Sequence, residues 1–175
     1  MRKQGALLAV LVAACACLLA GCWGSNSSSF STTTTSVAGD CLDSGQGADL
    51  HGCDLSGADL SNADLSNAIL TDADLSGADL EGADLSYAAL FRANLEGADL
   101  TSANLTYANL TDANMSQANL MSAFFLNADL THADLSYASL LGATLTGADM
   151  TYADVQGTIW DLTTCPDGVE RSRPC

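Results

Sequence analysis

Basic side chains are nearly missing from this sequence. Five Lys and Arg stand against 21 Asp and Glu in 175 residues, a formal charge of −16. A protein that grips nucleic-acid phosphates needs a cationic face, so binding through a basic surface is excluded. Proline is scarce at two residues, and aromatics make up only 6%. So few rings argue against a bulky globular core. Low hydrophobicity is absent too: 48% of residues are hydrophobic, which opposes the disorder that a large net charge usually accompanies. The length allows one ordinary domain with tails. What is present must arrange many small apolar residues and many carboxylates regularly.

The longest apolar run is Ala6 to Ala20, shorter than the ~20 residues a membrane span needs. Arg2 and Lys3 precede it, and Leu19-Ala20-Gly21-Cys22 follows. This order resembles the bacterial lipoprotein signal, cut just before a cysteine that is then acylated; the alternative is an ordinary secretory signal. The resemblance implies removal of 1–21, lipid on Cys22 and no cytoplasmic residence. The chain would then sit on the outer face of the plasma membrane or, in a double-membrane bacterium, on the outer membrane. Acyl chains contribute about 0.8 kcal/mol per buried methylene, so two or three hold a protein stably. Only Arg92, Arg171 and Arg173 would remain as Lys or Arg, and 3 − 21 gives −18. Residues 22–45 are rich in Ser and Thr and read as a flexible tether and amino-terminal cap.

From Ala48 onward the sequence repeats every five residues. Leucine fills 18 of the 23 positions from 50 to 160, and Met115, Phe125, Met150, Val155 and Trp160 fill the rest. Alanine stands two residues earlier in 21 of 23 cases, and Asp or Asn lies between in 17. Ser or Thr mostly follows the leucine, then often Gly, Asn or Tyr. Five residues turn about 500° in an α-helix, which would scatter the leucines around all sides. Ala-Asp-Leu instead alternates in, out, in like a short strand, and the next two residues must turn a corner. Short strands and corners wind into a solenoid.

The pattern resembles the pentapeptide repeat family, with its Ala-(Asp/Asn)-Leu-x-x consensus, over residues 48–162. The resemblance implies an all-β fold, a right-handed quadrilateral β-helix. Four repeats, or 20 residues, make each coil, and 23 repeats give nearly six coils. Alanine and the central leucine point inward. On this basis the chain divides into a signal (1–21), a tether (22–45), the β-helix (46–164) and a tail (165–175).

Residues 20 apart then stack in columns. Asp59, Asp79 and Asp99 form one acidic column, and Asp54 with Asp74 and Asp134 with Asp154 form parts of another. Asn94, Asn104, Asn109, Asn114 and Asn119 interrupt the acid and relieve its repulsion. The face is either a solvated one or one that binds cations or a basic partner; calcium-loop spacings are absent. A further column alternates Asp72, Arg92, Asp112, His132 and Tyr152, which predicts a surface ion-pair ladder. Met121, Phe124, Leu126 and Leu141 fall at outward positions and form a candidate partner patch; Ile69 and Phe91 lie on another face. Tyr87 and Tyr107 are expected to stack.

Four cysteines lie beyond Cys22: Cys41, Cys53, Cys165 and Cys175. Three pairings are open to them. The repeat geometry favours Cys41 with Cys53 and Cys165 with Cys175, because cross-pairs would span the rod. Each bridge would fold a flanking segment over an open solenoid end, where unpaired strand edges invite stacking. No histidine is placed beside a nucleophile and an acid, so catalysis, cofactor and metal are not expected. The function expected is a non-enzymatic, membrane-anchored acidic rod that binds a protein or serves as scaffold, as a monomer or weakly self-associating. The alternative follows from the family, whose quinolone-resistance members resemble B-DNA in shape and charge and protect DNA gyrase. Those members act in the cytoplasm, which the export signal opposes.

Overall fold

A computed structural model describes residues 45–175. Parallel bridges link each residue at the Asp/Asn position to the one 20 further on, from Asp49↔Ile69 to Thr144↔Thr164. The chain is therefore a β-solenoid that advances one coil every 20 residues. The bonds are regular: Leu55 N–H donates to Asp74 C=O at 2.7 Å, and Asp74 N–H donates to Cys53 C=O at 2.8 Å. Each side of a coil contributes only one bridging residue, since a corner intervenes every five residues. The expected strands are thus as short as a strand can be.

The corner explains the rest of the repeat. Cys53 N–H donates to Leu50 C=O at 3.1 Å, closing a four-residue turn, and every fifth residue repeats that bond. The third residue of the turn has positive φ, as in Gly77 (62°), Asn67 (61°) and Tyr107 (59°). A type II turn requires that sign, which favours Gly and Asn. The frequent Gly and Asn of the repeat are there for this reason.

Inside, the central leucines and the alanines form one continuous column. Leu65 through Leu145 and Ala68 through Ala143 are almost wholly buried, and Met115 and Phe125 substitute for leucine without disturbing the stack. Alanine fits where walls approach closely, and leucine fills the middle of the tube. Toward the ends the core loosens: Ala58, Ala63, Met150, Ala153 and Val155 are only partly buried.

Among the described residues the two regular strands are at the carboxyl-terminal end, where β1 (Thr163–Thr164) and β2 (Glu170–Arg171) pair antiparallel. Thr163 takes an alanine position and donates its hydroxyl to Leu140 C=O at 2.7 Å. Cys165 and Cys175 form a disulfide with Cα atoms 5.6 Å apart. Ser172 Oγ donates to Asp161 at 2.6 Å, fastening the tail to the last coil. Cys53 is buried and takes part in a disulfide. Cys41, its expected partner, lies outside the described residues, as do Cys22, the signal and most of the tether.

Candidate functional site

The lateral surface is built from the corners. At Asp54 the carboxylate Oδ1 accepts the Ser56 N–H at 3.1 Å and the Ser56 hydroxyl at 2.7 Å. Asp59 with Ser61, Asp64 with Ser66, Asp99 with Thr101 and Asp129 with Thr131 repeat this cap. Asn109 and Asn114 do the same through their amide oxygens. Asp or Asn before the leucine, and Ser or Thr after it, are therefore two halves of one turn. The acids are outward, as expected from alternation, but they also hold the fold, which alternation alone does not reveal.

These bonds set the electrostatics. Donation by Ser56, Ser61 and Ser66 holds Asp54, Asp59 and Asp64 below the ordinary carboxylate pKa. Thr131 and Thr151 do the same for Asp129 and Asp149. Desolvation works to raise Asp99, but Thr101 and Asn119 outweigh it and the net shift is downward. The mid-rod asparagines relieve the acid columns by direct donation. Asn94 Nδ2 donates to Asp74 at 3.0 Å, Asn104 to Asp84 at 3.1 Å and Asn119 to Asp99 at 3.2 Å.

The expected ion-pair ladder divides into two unrelated contacts. Arg92 Nη2 lies 2.9 Å from Asp72. Among the described residues it forms no ion pair with Asp112, and His132 forms none either. His132 instead stacks on Tyr152, ring centroids 5.0 Å apart. The guanidinium pairs with one neighbour, and the imidazole stacks on another ring. Arg92 also lies 5.7 Å from the Phe91 ring centroid. Tyr87 and Tyr107 stack with centroids 5.0 Å apart.

The apolar positions are mostly open to solvent. Met121, Phe124 and Leu126 are 37%, 48% and 39% exposed, whereas Leu141 is only partly exposed. Phe124 is bridged between Asn104 and Thr144, so it stands alone in its column. Sequence reasoning missed the carboxyl-terminal end as a second candidate surface. A cavity of about 450 Å³ lies there, lined by Met150, Ala153, Val155 and Trp160 of the last coil and, from the tail, by residues that include Asp167 and Arg171. The Trp160 indole N–H is buried without a partner. The sequence signal was the drift of the central position at its end, to Met150, Val155 and Trp160. Among the described residues no cluster of His, Cys, Asp or Glu could hold a metal ion.

A parallel solenoid whose repeated acids cap its own corners defines a non-catalytic scaffold. The chain belongs to the pentapeptide repeat family: the family model, pentapeptide repeats, matches residues 48–86, 83–120 and 125–159. The chain is similar to a trypsin-treated variant of QnrB1, a plasmid-mediated fluoroquinolone resistance protein. Identity is 24% over 69% of this chain and 71% of that one, with a TM-score of 0.56, which shows a shared fold. HetL, involved in heterocyst differentiation regulation in the cyanobacterium Nostoc sp. strain PCC 7120, is 27% identical over 72% of this chain and 86% of its own, with a TM-score of 0.32. The pentapeptide repeat protein alr5209 from Nostoc PCC 7120 is 39% identical over 47% and 68%, with a TM-score of 0.46. No curated protein matches the chain.

Proposed function

We propose that the protein is a lipid-anchored scaffold of the cell envelope, presenting a rigid acidic rod to a protein partner. The chain would form a right-handed quadrilateral tube of nearly six coils over 46–164, on the order of 25–30 Å long at the usual strand spacing. The observation that carries the scaffold reading is the capped acid position, which displays carboxylates at fixed intervals while serving the fold. The lipobox-like Leu19-Ala20-Gly21-Cys22 supports the anchor, and the four-cysteine framework supports an oxidising compartment. Met121, Phe124, Leu126 and Leu141 form the first candidate for the partner's footprint.

A second reading is a DNA mimic that binds DNA gyrase. The structural comparison supports it, because one similar solved structure, with a TM-score of 0.56, is of a fluoroquinolone resistance protein, and the net charge of −16 suits such a mimic. The amino-terminal sequence favours the first. Metabolic labelling with a palmitate analogue separates them. Labelling of the wild type and loss of label in Cys22→Ala is the expected result. An unlabelled, full-length cytosolic protein that shields gyrase supercoiling from a fluoroquinolone would establish the second reading instead.

A further inference from the structure

We infer that the carboxyl-terminal cavity is a binding site for a small, uncharged, apolar molecule that carries one hydrogen-bond acceptor, such as a ketone. The site is the open end of the tube. Its wall comes from inward positions of the last coil: the central residues Met150, Val155 and Trp160, and Ala153 at an alanine position. One coil earlier Leu130, Ala133 and Leu135 are fully buried, whereas Met150, Ala153 and Val155 are half-buried. The core column therefore ends with apolar surface still uncovered. The tail crosses the opening without filling it. Pro166, Pro174 and Cys175 line part of the cavity, and the Cys165–Cys175 disulfide and the Ser172–Asp161 bond hold the tail in place. The space left, about 450 Å³, lies within the size range of small-molecule sites.

The wall sets the chemistry of the occupant. Covering its uncovered side chains with an apolar body removes them from water, which is favourable. A charge on the ligand gains nothing. Asp167 and Arg171 are the charged residues of the lining, and they are paired with each other. A cation or an anion would meet no free counter-charge, and its desolvation would go uncompensated. One polar group on the ligand does gain. Among the described residues, the Trp160 indole N–H is the one buried side-chain group without a hydrogen-bond partner, and Trp160 is only 4% exposed. An indole N–H donates and cannot accept, so its complement is an acceptor such as a carbonyl oxygen. An orphaned donor carries the desolvation cost of an unmade bond. The Trp160 ring forms part of the wall, which puts an acceptor bound there next to it. The inference is independent of where the protein resides and of any partner on the lateral surface.

The test is a titration of the ¹⁵N-labelled full chain with methyl heptyl ketone. The chain has two tryptophans, Trp23 and Trp160, so Trp23→Phe assigns the indole resonance of Trp160. That resonance should shift saturably, and the melting temperature should rise with ketone concentration. The analogue with a methylene group in place of the carbonyl oxygen should bind roughly two- to tenfold more weakly, the net worth of one hydrogen bond. Nonanoate and nonylammonium should also bind more weakly than the ketone. Val155→Phe and Ala153→Leu each fill the cavity and should abolish the shift, with thermal melting confirming that each variant folds. Any of four results would overturn the inference: no saturable shift of Trp160 up to the solubility of the ketone, equal affinity for the methylene analogue, tighter binding of either ion, or unchanged binding in a folded cavity-filling variant.

Discussion

Each carboxylate at Asp54, Asp59 and Asp64 accepts a backbone N–H and a serine hydroxyl through the same oxygen. Both donors favour the charged form, so the folded state binds protons less readily than the unfolded chain. The sign of the pH dependence follows from linkage. Each of these groups, with Asp99, Asp129 and Asp149, has its folded pKa below 3.8. Their contribution is fully present above the unfolded pKa of about 3.9 and is lost as pH falls through the folded values. The melting temperature should therefore hold from neutrality to about pH 5 and decline below about pH 4. Ser61→Ala removes the hydroxyl donor to Asp59, so the Asp59 titration should move up toward its ordinary value. Carboxyl NMR titration of the wild type and variant checks this, and an unmoved Asp59 would discount the hydroxyl's role.

The five-residue element was legible because its inward positions tolerate little. A leucine or its apolar substitute every fifth residue, with alanine two before, reads as the short strands and corners of a solenoid; the 20-residue coil came from the family resemblance, and the bridges follow it. The outward positions were read less fully. Asp reads as solvated in any sequence, so its role at the turn was invisible until Ser56 and Ser61 were seen to donate to it. Columns fix which residues are neighbours but leave the rotamer free, which is why Arg92 was placed between two aspartates and meets one. The third corner residue gives a direct test of the element. Gly77 has φ of 62°, and a Cβ there would meet nothing within 4 Å. Gly77→Ala should then cost only the left-handed penalty, about 1–2 kcal/mol. At Gly157 a Cβ would stand 2.6 Å from Cδ1 of Tyr137, adding a collision with a ring. Gly157→Ala should lower the melting temperature more than Gly77→Ala, and Tyr137→Ala should remove the difference. Equal effects of the two glycine variants would mean that the corners relax freely.

At the scale of the whole molecule, the solenoid accumulates charge along its length. Asp59, Asp79 and Asp99 are bridged in succession, so their carboxylates stand about one strand spacing apart, roughly 4.8 Å. Only two ion pairs occur among the described residues, so little attraction offsets this repulsion. Salt should therefore stabilise the rod, the reverse of its effect on a fold held by surface ion pairs. The window is wide, because the Debye length falls from ~30 Å at 0.01 M to ~3 Å at 1 M. The melting temperature should rise by several degrees across that range, and Asp79→Asn, which neutralises the middle of the column, should flatten the slope. Sodium and magnesium chloride should act alike at equal ionic strength if the columns are merely screened. A steep rise at micromolar divalent cation, with none from sodium, would instead make the acidic face a cation-binding surface. A melting temperature that fell with salt would show that attraction, through Arg92 and Arg171, outweighs the columns.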